Sequence, residues 1–255
     1  MANNGMFSKA RTLARVTIGL SALLGTLLPG VAQAGRRPYF WTYDTEVVPE
    51  RGAEVETWLT ERFFDKGNDQ AQIWSAPIIG LTDRVELVIP FEWSYWEAKK
   101  ATQFDWYGAE LRIRLSDPDR EVSGPFSALV RVGVYRPVRV RPELRFETNL
   151  VGRYEFSERC QATADVGAVA LKNGPNRIVT YAAATSCKAI GDLRLGGEMF
   201  GELFFGSPVD QPSLTMVGPN FGFTHGRTWL AGGILFGVTD SAPVAMSRLI
   251  WAISF

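Results

Sequence analysis

From Gly52 to Phe255 the chain alternates apolar and polar side chains over long runs. In the run 85–97, Val85, Leu87, Ile89, Phe91, Trp93 and Tyr95 fall on one parity, and Glu86, Val88, Glu92 and Ser94 on the other. In the run 143–156, Leu144, Phe146, Thr148, Leu150, Tyr154 and Phe156 oppose Glu143, Arg145, Glu147, Asn149, Arg153 and Glu155. Successive side chains of a strand point to opposite faces, so a period of two predicts strands with one apolar face. The same reading gives strands over 52–65, 70–81, 85–97, 105–116, 126–136, 143–156, 160–172, 177–189, 193–206, 214–224, 228–238 and 246–255. Most are longer than the usual five or six residues of a soluble strand.

The last strand is the sharpest. Leu249, Trp251, Ile253 and Phe255 share one parity, with Arg248 and Ser254 on the other. A continuous apolar stripe ending in an aromatic residue suits a strand facing lipid. It looks like the C-terminal assembly signal of bacterial outer-membrane barrels. Twelve candidate strands in pure up-and-down order predict an all-β, antiparallel transmembrane barrel of about 12 strands, in keeping with the even strand counts of such barrels. Counted back from the C-terminus, the turns at 82–84, 117–125, 157–159, 191–192 and 225–227 fall on the periplasmic side. Those at 66–69, 98–104, 137–142, 173–174, 207–213 and 239–245 fall outside.

The front of the chain places the barrel in a cell. Lys9, Arg11 and Arg15 precede an apolar run, Val16 to Leu28, then Pro29-Gly30 and Ala32-Gln33-Ala34. A basic, then apolar, then small-residue order is that of a secretory signal peptide, here residues 1–34. Residues 35–51 form a lead-in expected to line or plug the periplasmic mouth, along a path that sequence does not place. Residues 52–255 form the barrel. No later apolar run is long enough for a spanning helix. The expected location is the outer membrane of a Gram-negative bacterium. The expected partners are outer-membrane lipid, the barrel-assembly machinery and periplasmic chaperones.

Charge adds little. The signal holds three of the 27 basic residues and none of the 27 acidic ones, leaving 24 against 27. That balance offers no basic footprint for nucleic acid. Eight Trp, seven Tyr and 16 Phe suit a barrel with aromatic girdles.

Candidate chemistry sits on the face opposite the lipid stripe. Glu86, Glu92, Glu110, Arg112, Arg114, Arg131, Glu143, Arg145, Glu147, Arg153, Glu155, Arg194, Glu198 and Glu202 would line the lumen. Charges there must be paired or wet. Two readings follow. One is a polar passage for small solutes with weak ion selectivity. The other is a salt-bridged, sealed barrel of structural or interaction role. Cys160 and Cys187 each stand 13 residues from Asn173-Gly174, a strong hairpin-turn signal. They would therefore face each other, and a secreted chain favours their disulfide. The single histidine, His225, falls in a predicted turn, with no Gly-x-Ser-x-Gly elbow and no metal or phosphate motif. No enzyme activity and no cofactor are expected.

The stretch Gly80-Leu81-Thr82-Asp83-Arg84-Val85-Glu86-Leu87 is a turn between amphipathic strands. With Gly218-Pro219-Asn220 through Phe236-Gly237-Val238-Thr239-Asp240, it resembles the outer-membrane family associated with meta-pathway phenol degradation. The resemblance implies a barrel for uptake of small, often aromatic, compounds. It carries over no site residues.

Overall fold

Strands of this length and alternation leave no free edge if they close on themselves, and here they do. The computed structural model describes residues 37–65, 69–119, 124–138, 143–172, 177–205 and 213–255. The strands are β1 (Ala53–Phe63), β2 (Gln70–Thr82), β3 (Val85–Val88), β4 (Phe91–Trp96), β5 (Ala101–Arg114), β6 (Phe126–Pro137) and β7 (Arg145–Glu155). Then come β8 (Cys160–Leu171), β9 (Arg177–Ile190), β10 (Leu193–Phe205), β11 (Leu214–His225), β12 (Thr228–Gly237) and β13 (Ala245–Ser254). Neighbours pair antiparallel in chain order, and β1 pairs with both β2 and β13. β3 and β4 are two halves of one stave, so the barrel has twelve. The signal segment and the Asn173-Gly174 turn lie outside the described residues, as do Lys66 and Pro142 at the edges of other loops.

Burial is inverted relative to a soluble protein. Glu56, Glu86, Glu110, Arg112, Arg131 and Glu198 are buried, while Val55, Ile73, Leu111, Leu150, Val166 and Leu195 are exposed. An exposed apolar belt around a charged interior is what a lipid-facing barrel requires. Exposed aromatics gather at both rims. Phe126, Tyr154, Phe156, Phe223 and Phe255 stand at the end carrying the chain terminus, here the near end; Phe63, Trp93, Phe146, Phe205 and Phe236 stand toward the far end.

The closing strand β13 lies between β1 and β12. Val55, Thr57 and Leu59 pair with Ile253, Trp251 and Leu249, and Leu230 pairs with Trp251 from the other side. Phe255 and Ala53 exchange backbone hydrogen bonds of 2.7 and 3.5 Å. Ile250, Ala252 and Ser254 are the inward set.

Two expectations are corrected. The strand over 85–97 is broken at Ile89-Pro90, because Pro90 has no N–H for the ladder. The polar loop over 98–104 is mostly strand. Only a 3-10 turn, Glu97–Lys99, and Lys100 separate β4 from β5. The cause is a bulge. Glu92 pairs with Trp106 but Trp93 pairs with Phe104, so Asp105 is the extra residue. A bulge shifts side-chain parity by one, and the alternation that marks 106–114 is lost when it is followed back through Asp105.

Candidate functional site

Arg37 to Arg51 has no regular secondary structure, yet every residue from Arg37 to Val48 is buried or partly buried, and only Pro49, Glu50 and Arg51 are exposed. Its contacts place it inside the barrel. Pro38 approaches Gly222, Phe40 approaches Gly233, and Pro49 approaches Gly80. A Cβ at Gly80 would collide with the carbonyl oxygen of Pro49, so that wall position needs glycine for the plug to pass. The segment rises from the near end, turns at residues 40–43, and returns to the near end at Arg51, which is in the left-handed region (φ 65°). There Arg51 donates to the Gly80 carbonyl at 3.2 Å and Gly52 to that of Pro49 at 2.9 Å.

Irregular backbone taken out of water must find partners for its N–H groups. Wall carboxylates supply them. Glu198 accepts from the amides of Phe40 (3.2 Å), Trp41 (2.8 Å) and Thr42. Asp165 accepts from Tyr43 at 3.2 Å, Glu86 from Val48 at 2.6 Å, and Asp83 from Glu50 at 3.1 Å. Wall arginines hold the plug's own acids. Arg153 reaches Asp44 at 3.1 Å and Glu46 at 2.6 Å, and Arg114 reaches Glu46 at 3.0 Å. Arg37 of the plug meets Glu56 at 3.3 Å. The Thr45 and Ser127 hydroxyls are 2.6 Å apart.

The predicted charged residues fall into distinct groups. Glu86, Arg112, Glu110, Arg131, Glu147 and Arg145 form one ladder across β3, β5, β6 and β7, with successive contacts of 3.0, 2.6, 2.7, 2.5 and 2.6 Å. Arg114 and Arg153 hold the plug, and Glu155 is 3.4 Å from Arg153. Glu198 is the plug's anchor. Glu92 stands apart, accepting from Trp106 Nε1 at 2.8 Å and Gln72 at 3.4 Å. Arg194 donates to the Ser186 hydroxyl at 2.8 Å. Glu202 is partly buried on β10, and Glu143 is partly buried ahead of β7. Tyr43 of the plug sits beneath Arg131 and Arg37, their guanidinium carbons 4.3 and 4.5 Å from its ring.

The charged lumen expected from sequence is only part of the interior, and many inward side chains are apolar. Trp58, Trp74, Ile78, Phe200, Met216, Leu235 and Ile250 point inward from β1, β2 and β10 to β13, and Phe40 and Val48 of the plug pack on them. The signal was present in β2, where Ile73, Ile79 and Leu81 on one parity face Trp74, Ala76 and Ile78 on the other. Apolar residues on both parities mean burial on both faces. Asp83 and Asp165 were also missed. Asp165 is the one acid among small residues on β8.

Cys160 and Cys187 are paired in register and form a disulfide, Cα to Cα 4.1 Å. His225 ends β11, exposed, 3.5 Å from Asp192. At the near end a cavity of about 630 Å³ is lined by both signs of charge, Glu46, Glu155 and Asp192 with Arg114, Arg153 and Arg194.

No family model matches the chain, and no curated protein matches it. Among solved structures it is similar to the KdgM porin at 9% identity, covering 79% of this chain and 99% of that one with a TM-score of 0.51. It is similar to the COG4313 outer membrane channel from Pseudomonas putida F1 at 11% identity (83% and 98% covered, TM-score 0.56). The NanC porin aligns at 6% identity over 79% and 98%, with a TM-score of 0.54. These likenesses establish the fold, that of outer-membrane β-barrels.

Proposed function

We propose that the chain is a passive outer-membrane channel for small solutes, including compact aromatic ones, closed in this state by its own segment Arg37–Arg51. The near end then faces the periplasm. One observation carries the reading. The lumen is filled by a segment joined to the barrel only at Arg51, not by side chains of the wall alone. A filler of that kind can be displaced without breaking the barrel. Its partners are wall carboxylates and arginines that water could solvate in turn. The channel and porin titles of the similar structures, and the turn motifs resembling the phenol-degradation family, support the same reading. A specific observation favours the sealed alternative: the plug's amides and acids are already paired with wall side chains, so its seat is well satisfied as it stands.

Planar-bilayer recordings decide between them. The refolded mature chain should conduct weakly, and a chain lacking residues 37–48 should conduct several-fold more. A plug-deleted barrel that folds but passes neither ions nor small solutes would establish the sealed barrel.

A further inference from the structure

At the turn of the plug, Trp41 occupies a slot made by the barrel. The guanidinium carbon of Arg248 lies over the Trp41 ring, 3.5 Å from its centre. The Phe200 ring is 4.4 Å away, tilted by 51°. Both walls have contacts besides the indole, and one of those of Arg248 is to the plug itself, from Nη1 to the Phe40 carbonyl at 3.2 Å. Arg248 donates from Nε to Thr60 Oγ1 at 2.8 Å and stands 4.8 Å from the Trp58 ring, itself stacked on Trp74 at 4.2 Å. Phe200 is carried by β10, mid-strand and paired with Ala182. If Trp41 leaves, a space bounded by a cation and a tilted aromatic ring remains.

The slot also has a directional polar group. Glu198 lies two residues before Phe200 on the same strand face, and three of its contacts are plug amides. Withdrawal of the plug strips it of those donors. A buried carboxylate without donors is costly, so an occupant that brings an N–H or O–H is favoured. A cation over a ring face selects an electron-rich aromatic.

The geometry points to a binding site for a planar aromatic ring bearing a hydrogen-bond donor, formed by Phe200, Arg248 and Glu198 and filled in the closed state by the chain's own Trp41. A free ring of this class therefore competes with the plug, and its binding and the plug's release are one equilibrium. This deepens the channel reading and rests on it for its physiological meaning, but the site itself is tested by binding alone.

Indole is the probe, because it is the side chain it must replace. The full mature chain is refolded in detergent as wild type, Trp41→Gly and Trp41→Gly/Arg248→Met, each checked for heat-modifiable mobility. By calorimetry Trp41→Gly should bind indole at least about tenfold more tightly than wild type, and the double variant should lose about tenfold. Cyclohexanol should not bind comparably. Equal affinity in wild type and Trp41→Gly, indifference to Arg248→Met, or equal binding of cyclohexanol overturns the site. A second arm does not depend on the folding of Trp41→Gly. In a Cys160→Ser/Cys187→Ser background carrying Thr45→Cys, indole should speed maleimide labelling of position 45 several-fold, and an unchanged rate overturns the competition. If indole binds as expected but the plug-deleted barrel passes nothing, the channel reading fails and the site stands.

Discussion

Glu198 shows how much one residue can hold when the backbone around it is irregular. It faces inward because β10 alternates, and its two oxygens take the amides of Phe40, Trp41 and Thr42 at the tip of the plug. Glu198→Ala should leave three amides short of a partner. Each unmade buried bond costs about 1–3 kcal/mol, an upper bound where lumen water can substitute. Single-channel recordings should show the variant open several-fold more often than wild type, with the barrel still heat-modifiable. Unchanged closure would mean that the apolar packing of Phe40 and Val48 holds the plug by itself. Arg131 has the opposite role. It joins Glu110 at 2.7 Å and Glu147 at 2.5 Å within the wall. Removing one partner of a buried ion pair leaves an uncompensated charge, worth about 3–5 kcal/mol. Arg131→Met should therefore lower the barrel's unfolding temperature and leave plug opening little changed, as read by gel mobility against temperature and by conductance.

At the scale of the strands, the period of two carried most of the information. It placed the twelve staves, the shared face of Leu249, Trp251 and Ile253, and the opposition of Cys160 and Cys187, because each depends only on side-chain parity along a strand. It failed where parity is interrupted. Asp105 bulges out of β5 and turned the outer half of that strand into an apparent loop, and Pro90 divides the third stave. It also failed where parity carries no contrast, as in β2, with apolar residues on both faces. The plug's path was out of reach for a different reason. Its wall partners are 19 to 208 residues away in sequence, and no local pattern in Arg37–Arg51 reports them. The β8–β9 hairpin gives a test at this scale. Its disulfide closes a loop between positions 27 apart, worth about 3–4 kcal/mol in the chain-entropy account. Cys160→Ser/Cys187→Ser should still form a barrel but unfold at lower temperature or denaturant concentration. Equal stability would mean that the hairpin register is enforced by its neighbours β7 and β10 alone.

The whole molecule is divided lengthwise. The β3, β5, β6 and β7 side of the lumen is charged and knitted by its own ladder, while β1, β2 and β10 to β13 carry most of the apolar inner surface, interrupted by Glu54, Glu56 and Glu198. A bare barrel of that kind would expose Trp58, Phe200 and Leu235 to lumen water, so the plug covers an apolar surface as well as occupying the lumen. Its two sides match the two walls: Phe40 and Val48 meet the apolar half, and Asp44 and Glu46 meet Arg153 and Arg114. Closure then depends on the plug staying seated, and that can be locked. Thr45 and Ser127 touch across the junction of plug and wall, their hydroxyl oxygens 2.6 Å apart. In a Cys160→Ser/Cys187→Ser background, Thr45→Cys with Ser127→Cys should form a disulfide in the closed state. The oxidised protein should stay closed in a planar bilayer, and reductant should restore openings to the level of either single variant. Openings of undiminished frequency in the fully oxidised protein would mean that solute passes beside a seated plug.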